Sequence, residues 1–359
     1  MIPIPFYPRQ LLPVGTRIDL RTPQPEKYLN DVLHPCVRKG EGGAFKDKYI
    51  MVQSPLYGGD ESMENPILYV SDSLEDWGDG VVVRDTPSEG YNSDPLVFPE
   101  GDKLWVFWRE FNTPACFDAG TNIATFGCCT KDGRHFSSPK LYLANIYESD
   151  TRWGKPFPVA DIAQCPILMK HNGEYYFYGV CMDYKTYVCK GLSIWKGSSL
   201  EEPDFKLQQV VPFHSVLSVG KFKQLKIRGK LYFIPKPVSQ SLWHFDLFEH
   251  DGCLYMIFGV AKGKGNILLS CSKDWMHFKT RIAPLINNNH SENTLHYRQY
   301  YYKSTGFVEN GQLHLFYTAN SPVDRKRNVL FHSCGSFPDK RATLTAFSRL
   351  KYKMTKDNK

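Results

Sequence analysis

The most informative stretch of the sequence is Trp243-His244-Phe245-Asp246-Leu247-Phe248-Glu249, which is followed by a turn at Asp251-Gly252 and by the apolar run Cys253-Leu254-Tyr255-Met256-Ile257-Phe258. Asp-Gly between two strand-like runs is typical of a tight hairpin turn, so the stretch predicts two antiparallel strands. Because side chains alternate along a strand, His244 and Asp246 are expected on one face and apolar side chains on the other. The first strand is therefore expected to have one apolar face for packing and one polar face that is available for other contacts.

The same kind of unit recurs along the chain. An aromatic-rich strand occurs five times, at Tyr49–Val52, Leu104–Trp108, Tyr175–Tyr178, Leu254–Phe258 and Leu313–Tyr317. A polar turn ending in an aromatic is clearest at Ser71–Trp77, Thr130–Phe136 and Ser272–Phe278. Five units of roughly 60–70 residues, each with about four strand signals, predict an all-β, five-bladed β-propeller. A pair of β-sandwiches is the alternative fold, but it does not require five copies of one strand.

Composition divides the chain into three predicted parts. Residues 1–31 form a proline-rich N-terminal lead-in, residues 32–348 the propeller, and residues 349–359 a basic C-terminal tail. An additional hairpin is predicted at Lys223–Pro235, between the third and fourth units. The hydrophobic fraction of 42% and aromatic fraction of 14% are sufficient for a large core over most of the 359 residues.

Charge and apolar patterning limit the predicted partners. The net charge is +7, but no recognition motif accompanies it, so we expect no nucleic-acid partner. No run of about 18 apolar residues occurs, so we expect no membrane partner. Residues 1–5 lack the features of a signal peptide, which predicts a cytoplasmic protein, or a secreted or periplasmic one if the sequence is trimmed. The oligomeric state is left open.

The ten cysteines are expected to be buried thiols in a reducing compartment. Most lie inside apolar strand-like runs, and none has the CxxC spacing of a zinc or redox site. Phosphate loops, nucleotide fingerprints, serine hydrolase elbows and HExxH-type metal helices are also missing from the sequence. The sequence therefore predicts no cofactor and no metal.

The predicted inner strands carry the candidate site. In a propeller the innermost strand of each blade lines the central channel, so polar residues on these strands converge although they are distant in sequence. The candidate inner strands are Leu33–Val37, Tyr91–Leu96, Ile162–Ile167, Trp243–Glu249 and Tyr302–Phe307. Each has at least one polar residue where a purely structural strand would be apolar.

A series of short motifs follows in order between about His34 and Tyr317: Glu64-Asn65-Pro66, Asn92-Ser93-Asp94-Pro95, Trp108-Arg109-Glu110, Cys165-Pro166, Trp243-His244-Phe245-Asp246 and Tyr302-Lys303-Ser304. The series resembles the five-bladed propeller glycosidases, the group that includes arabinanase/xylosidase-like and invertase-like enzymes. The resemblance implies that two carboxyl groups hydrolyse a glycan in the channel, one protonating the leaving oxygen and the other acting as base or nucleophile. It implies Asp94 and Asp246 as the leading catalytic pair, with Glu64 and Glu110 in reserve.

Two positions depart from the pattern of those enzymes. The chain has His34-Pro35 where they usually have Asp-Pro, and Gln164-Cys165-Pro166 where they usually have a Glu. Either the carboxylates have moved to Glu64, Glu110, Asp161 or Asp246, or the chain binds a sugar without cutting it. A glycan phosphorylase is a third hypothesis, with Arg109, Arg298 and Lys303 as candidate phosphate-binding cations. The residues predicted to bind the carbohydrate are His34, Arg109, Gln164, Trp243, His244, Tyr302, Lys303 and Ser304.

Each leading candidate also has a purely structural interpretation. Asp94 before a proline can be a turn residue, and His244 can be a core histidine bonded to a carbonyl. Arg109-Glu110 can form an ordinary surface ion pair, and Glu64 can be a loop residue. These alternatives predict different contacts, which the structure can separate.

Overall fold

The computed structural model describes residues 10–23, 30–144, 149–150, 157–158, 160–183, 188–212, 217–227, 230–237, 242–260, 266–281, 284–286, 301–321, 324 and 326–337. Only the backbone is described for residues 149–150, 157–158, 160–162, 188, 217–227, 230–237 and 260. Within these ranges five four-stranded antiparallel sheets are the main elements. In each sheet, strands that are consecutive in sequence pair with one another, as in the blades of a propeller.

The first strand, β1 (Thr16–Ile18), belongs to the last blade, and blade 1 contains β2 (Cys36–Lys39), β3 (Tyr49–Gln53), β4 (Ile67–Ser71) and β5 (Val81–Val82). Blade 2 contains β6 (Tyr91–Glu100), β7 (Lys103–Phe111), β8 (Ile123–Thr130) and β9 (Lys140–Ala144). A two-stranded sheet of β10 (Ser149–Asp150) and β11 (Phe157–Pro158) follows. Blade 3 contains β12 (Ala160–His171), β13 (Glu174–Asp183), β14 (Val188–Gly197) and β15 (Lys206–Val211).

The second half of the chain begins with the predicted extra hairpin, β16 (Leu217–Ile227) and β17 (Lys230–Pro237). Blade 4 contains β18 (Leu242–His250), β19 (Cys253–Val260), β20 (Leu268–Ser272) and β21 (Lys279–Thr280). Blade 5 contains β22 (Tyr301–Glu309), β23 (Gln312–Asn320), β24 (Asn328–Ser336) and, as its outer strand, β1. The helical elements are α1 (Pro114–Asp118) and the 3-10 turns Gly43–Phe45, Tyr57–Gly59 and Glu61–Met63. Within the described ranges, helices lack the length and apolar character that a bilayer crossing requires.

The inner strands β2, β6, β12, β18 and β22 contact one another in a closed ring. They contain the polar segments that the sequence predicts for the channel, and the prediction of an all-β, five-bladed propeller is confirmed. The hairpin between β18 and β19 is confirmed as well: Asp251 and Gly252 have φ of 49° and 66°. Positive φ at both central residues is the requirement of a type I′ turn, which asparagine, aspartate and glycine meet most easily.

The ring is closed by residues of the predicted lead-in. β1 pairs with β24, with Thr16 opposite His332. Asp31 connects blades 1 and 5, since its carboxylate accepts the backbone N–H groups of Leu56 (2.5 Å) and Asn328 (2.7 Å). Burial raises the pKa of Asp31 to about 6, although these two backbone hydrogen bonds oppose the shift. The stretch 1–31 thus contributes a strand to the propeller, while the boundaries at 32 and 348 stay predictions and the tail lies outside the described residues.

The core lies between neighbouring blades. The rings of Phe107 in blade 2 and Phe177 in blade 3 meet edge to face, with their centroids 5.3 Å apart. Trp108 and Tyr178 are also buried. The prediction that the aromatic strands are core rather than sugar platforms is confirmed for these residues.

Two of the three repeated polar turns are each built by one aspartate carboxylate, whereas Ser73 Oγ accepts the backbone N–H groups in the blade 1 turn. In blade 2, Asp132 Oδ1 accepts the backbone N–H groups of Arg134 and His135. In blade 4, Asp274 Oδ1 accepts those of Met276 and His277. The repeated sequence pattern is therefore a turn-forming pattern, in which Asp satisfies N–H groups that the strands leave free.

The cysteines pair with no partner thiol. All ten lie in the described residues and none forms a disulfide there, and Cys36, Cys116, Cys128, Cys165, Cys181 and Cys253 are buried. Free cysteine behaves as a small apolar residue, so most of these thiols belong to the blade packing. Cys165 differs, because its neighbours are polar.

Candidate functional site

Four of the inner strands carry a two-residue β-bulge at the equivalent position, and the chain has the same offset just before β2. In blade 2, Ser93 pairs with Arg109 and Leu96 with Phe107, so two residues of β6 oppose one residue of β7. The registers of blades 3, 4 and 5 shift in the same way, and blade 1 matches them where the chain enters β2. The bulged pairs are His34-Pro35, Asp94-Pro95, Cys165-Pro166, Trp243-His244 and Tyr302-Lys303. A bulge re-aims side chains, and here it gathers five chain segments around one point.

Two of the bulges hold a side chain in the left-handed region. Asp94 has φ of 45° and Cys165 has φ of 50°. Each precedes a proline, which further restricts the backbone. A non-glycine residue at positive φ costs roughly 1 kcal/mol, and such positions concentrate at functional sites.

Glu64, His34 and Asp94 form a line of three buried side chains. Glu64 Oε1 lies 2.8 Å from His34 Nδ1, and Ser93 Oγ donates a hydrogen bond to the same oxygen at 2.6 Å. On the other side of the ring, His34 Nε2 lies 3.5 Å from Asp94 Oδ1. One imidazole thus separates two carboxyl groups.

Asp94 is held by residues of two further blades. The Arg109 guanidinium donates to Asp94 Oδ2 at 2.7 Å, and the Cys165 thiol donates to Oδ1 at 3.2 Å. His244 Nδ1 lies 2.6 Å from Cys165 Sγ and 3.7 Å from Asp94 Oδ1. Asp94, Arg109 and His244 are at most 3% exposed.

Two imidazole nitrogens at this point are buried without a hydrogen bond. In the part of the chain that the structure describes, Nε2 of His34 and Nε2 of His244 have no hydrogen-bond partner. His34, Asp94 and His244 each offer a ligand atom, and these atoms lie within 4.8 Å of one another. We call these three residues the histidine cluster; it has the donor types that bind transition metals.

Aromatic side chains border the histidine cluster. The Tyr302 ring lies 4.4 Å from that of His244 and 5.5 Å from that of His34, measured between centroids. The Trp243 ring lies 6.0 Å from that of His244, and both aromatics are half-buried. Lys303 is buried, with Nζ donating to the Pro95 carbonyl at 3.4 Å.

Burial and neighbouring charges shift the pKa values of these groups in different directions. Burial raises the pKa of Glu64, and contact with His34 offsets part of that shift. Burial also acts to raise the pKa of Asp94, but the neighbouring basic groups His34, Arg109 and Lys303 together hold it below its ordinary value. Burial lowers the pKa of His244 well below its ordinary value. Burial and the Asp94 charge raise that of the Cys165 thiol.

No protein-family model matches the sequence, and no curated protein sequence does. Solved structures match it over most of its length. An N-acetylgalactosamine deacetylase from F. plautii, in complex with blood group B trisaccharide, has 14% identity and a TM-score of 0.64 over 91% of this chain and 95% of its own. An exo-1,5-α-L-arabinanase from a bovine ruminal metagenomic library has 12% identity and a TM-score of 0.53 over 87% of this chain and 94% of its own.

A xylan β-1,4-xylosidase from Bacillus halodurans C-125 has 13% identity and a TM-score of 0.58 over 90% of this chain and 55% of its own. The fold is that of the arabinanase and xylosidase propellers. The resemblance inferred from the sequence motifs is confirmed at this level, and the low identity limits the comparison to the fold.

The structure places Asp246 in a different set of contacts from the other leading candidate. Its two oxygens bind the Arg38 guanidinium at 2.6 and 2.9 Å. Oδ2 also accepts the Thr305 hydroxyl at 2.6 Å and the Gly306 N–H at 3.2 Å. His244 and Asp246, predicted on one strand face, make separate contacts. Of the four predicted catalytic carboxyls, Glu64 and Asp94 are the ones brought together.

Glu110 also has a structural set of partners. It accepts hydrogen bonds from Trp108 Nε1 at 2.9 Å and from the Thr113 hydroxyl at 2.6 Å, and Arg84 Nε lies 3.2 Å away. The adjacent Arg109 pairs with Asp94 instead. The simple interpretation of Arg109-Glu110 as a surface ion pair is wrong, because both residues are buried and bind different partners.

Gln164 and Ser304 lie next to the bulges and are buried. Within the described residues, Gln164 Oε1 and Ser304 Oγ have no hydrogen-bond partner. Asp161 has no described side chain, and Arg298 lies outside the described residues. Gln164 and Ser304 therefore keep unused polar atoms near the channel, as expected of residues that bind a ligand.

The sequence analysis predicted neither Cys165 as a neighbour of the site residues nor Arg38 as the partner of Asp246. The signal for Cys165 was present: His34-Pro35, Asp94-Pro95 and Cys165-Pro166 are three copies of one bulge. Arg38 gave no comparable signal, because its partner Asp246 is 208 residues away in sequence.

Proposed function

We propose that the protein is a hydrolase acting on a carbohydrate at the channel end of the inner strands, with Glu64 and Asp94 as its reacting carboxyl groups. The main support for this proposal is that the two carboxyl groups lie next to opposite nitrogens of the His34 ring. Two carboxyl groups on either side of a site are the requirement for glycoside hydrolysis. Asp246 and Glu110 bind their own partners and are assigned to the support of the fold.

The contacts of the two carboxyl groups divide their roles. Asp94 is bound by the Arg109 guanidinium, which suits the negatively charged group that receives a proton from water or stabilises developing positive charge. Glu64 contacts a serine hydroxyl and an imidazole, which suits the group that gives a proton to the leaving oxygen. The rigid ring of His34 lies between the two carboxyl groups and fixes their positions relative to each other.

A carbohydrate fits the surroundings of this pair. Half-buried Trp243 and Tyr302 offer apolar ring faces of the kind that pack on sugar rings, and the free oxygens of Gln164 and Ser304 can bind hydroxyls. The similar structures are, by their names, a xylosidase, an arabinanase and a deacetylase in complex with a trisaccharide. These names support a carbohydrate as the substrate class.

Removal of an acyl group from a sugar is the second candidate. The specific observation is that two buried histidines face one carboxylate, which a mechanism with two carboxyl groups does not need. The deacetylase similarity points in the same direction. Phosphorolysis is less well supported, because Arg109 is bound to Asp94.

A paired screen separates these candidates. Purified protein is assayed on a panel of aryl glycosides and on a panel of N- and O-acetylated sugars, with Glu64→Gln, Asp94→Asn and the exposed control Glu249→Gln on β18. We expect turnover on one panel, a loss of about 1,000-fold in kcat for each site variant, and an unchanged control. Full activity in either site variant would remove that residue. Sugar binding by calorimetry without turnover on either panel would leave a noncatalytic carbohydrate-binding propeller.

A further inference from the structure

We propose that the histidine cluster binds one divalent transition-metal ion of the Zn²⁺ class, with His34, Asp94 and His244 as its protein ligands. The three residues come from blades 1, 2 and 4 and meet only because each lies in a bulge. The proposal does not rest on the proposed function, since metal binding can be measured without a substrate.

The geometry of the donor atoms fits a shared ion. An ion bound at about 2.0–2.2 Å from nitrogen and oxygen donors needs those donors about 3–3.5 Å apart. His34 Nε2 and Asp94 Oδ1 are separated by 3.5 Å, longer than a good hydrogen bond. The ligand atoms of all three residues lie within 4.8 Å of one another, and the His244 ring is close enough for a side-chain rotation to bring a nitrogen into range, since its Nδ1 lies 3.7 Å from Asp94 Oδ1.

The unpaired nitrogens give an independent argument. A buried polar atom without a hydrogen bond costs about 1–3 kcal/mol, and native proteins rarely keep two at one place without a use for them. Nε2 of His34 and Nε2 of His244 are both in this state among the described residues, and both rings are 3% exposed. A metal ion would use the lone pair of His34 Nε2, and it would use that of His244 Nε2 once the ring turns this nitrogen toward the ion, since Nδ1 is the His244 nitrogen that lies 3.7 Å from Asp94 Oδ1.

Each ligand also has a partner that fixes its orientation. His34 Nδ1 contacts Glu64, Asp94 Oδ2 accepts from Arg109, and His244 Nδ1 contacts the Cys165 thiol. Metal-binding histidines almost always bond the second ring nitrogen in this way, which selects the tautomer that presents the other nitrogen to the ion. Glu64, Arg109 and Cys165 are therefore assigned as positioning residues for the ion.

The charges around the cluster select the class of metal. Glu64 and Asp94 are acidic, but Arg109 and Lys303 are buried cations in the same site. Net charge therefore gives little attraction, and the imidazole lone pairs must supply the affinity. This condition disfavours Ca²⁺ and Mg²⁺, which require oxygen ligands, and favours Zn²⁺ or a neighbouring first-row ion. Three protein ligands leave a position for water or a substrate oxygen.

The test is direct metal binding by the 359-residue chain. Metal-free protein is titrated with Zn²⁺ by calorimetry and with Co²⁺ by visible absorption, for the wild type and for His34→Gln, His244→Gln and Asp94→Asn. His135→Ala and His277→Ala are the controls, because each removes an exposed histidine that contacts an aspartate on a surface turn. Circular dichroism shows which variants are folded.

We expect one equivalent of Zn²⁺ per wild-type chain, an affinity at least about 100-fold lower in each cluster variant, and no change in the controls. The Co²⁺ spectrum should show a low-symmetry site in the wild type only. Absence of stoichiometric binding, or binding that survives in folded His34→Gln and His244→Gln, would overturn the proposal. Loss of Zn²⁺ in the controls alone would locate the ion at the surface turns and overturn it equally. Stoichiometric binding without turnover on any carbohydrate would reject the proposed function and leave the metal site standing.

Discussion

The inner strands hold two groups of ionisable side chains, the Arg38–Asp246 pair and the histidine cluster, which differ in how completely their polar atoms are hydrogen-bonded. In the pair, the carboxylate oxygens are bonded to Arg38, the Thr305 hydroxyl and the Gly306 N–H. In the cluster, two ring nitrogens have no hydrogen bond within the described residues. Both groups involve β18, where His244 and Asp246 are two residues apart.

This difference distinguishes side chains that stabilise the fold from side chains that are available to bind a ligand. An ion pair with a buried carboxylate whose two oxygens are both bonded holds strands together, and its carboxylate has no free oxygen left to bind a ligand. A buried group with unused lone pairs is less stable than it could be, and proteins keep that cost where a ligand is bound. The contrast between the pair and the cluster therefore supports our proposal that Asp246 serves the fold and His244 the site.

The largest expected effect comes from breaking the pair. Asp246→Ala leaves the Arg38 guanidinium without its carboxylate partner, and we expect unfolding in urea to show a loss of about 3–5 kcal/mol. The double variant Arg38→Met/Asp246→Leu removes both charges and should recover much of that loss. A loss below about 1 kcal/mol for Asp246→Ala, together with lost activity, would place Asp246 in the site instead.

A further buried carboxylate, Asp31, tests whether a buried carboxyl group stabilises the fold as the acid or as the anion. Its pKa of about 6 lies above the ordinary value of 3.8, so its contribution to stability is present below pH 3.8 and is lost as the pH rises through 6. Relative to Asp31→Asn, wild-type protein should lose about 2 kcal/mol between about pH 4.5 and about pH 7.5. The measurement is urea unfolding of both proteins across that range. If the wild type instead gained stability relative to Asp31→Asn as the pH rose, the fold would stabilise the Asp31 carboxylate as the anion, which would contradict the prediction.

A variant of Cys165 tests whether its thiol positions the metal ligands of the histidine cluster. Its thiol contacts His244 Nδ1 and Asp94 Oδ1, so Cys165→Ala should lower Zn²⁺ affinity by about 10-fold while the protein stays folded. Cys271→Ala, at a half-buried position in blade 4, is the matched control. Equal Zn²⁺ affinity in the wild type and Cys165→Ala would show that the thiol is packing alone.

The smallest expected effect has the opposite sign to that of Asp246→Ala. Replacing His244 with Phe keeps a ring beside Tyr302, removes the buried Nε2 that has no hydrogen bond, and gives up the contact of Nδ1 with the Cys165 thiol. In metal-free buffer we expect the free energy of unfolding to stay level or to rise by about 1 kcal/mol, while Zn²⁺ binding is lost. Differential scanning calorimetry with and without Zn²⁺ measures both. A fall of several kcal/mol would mean that His244 supports the fold as Asp246 does.

The sequence predicted the blades well because their signal is local. Aromatic strands and Asp-containing turns repeat within each unit, and a period of that kind needs no knowledge of distant contacts. The inner strands followed from the same count. The strand β1 was not predicted, because pairing with β24 depends on residues that are more than 300 positions away.

The site was predicted in outline only. Side-chain alternation put His244 and Asp246 on one face, but it could not say that Arg38 and Thr305 would bind Asp246. Nor could it show that a bulge turns His244 toward Cys165. The sequence lists polar residues on the inner strands, whereas the geometry shows which of them keep unused donor and acceptor atoms.

The most direct measurement of the central claim is anomalous X-ray scattering from crystals of the 359-residue protein grown with Zn²⁺. The account predicts one strong peak within about 2.3 Å of donor atoms of His34, Asp94 and His244. A peak only at surface histidines such as His135 or His277, or no peak in the channel, would contradict it.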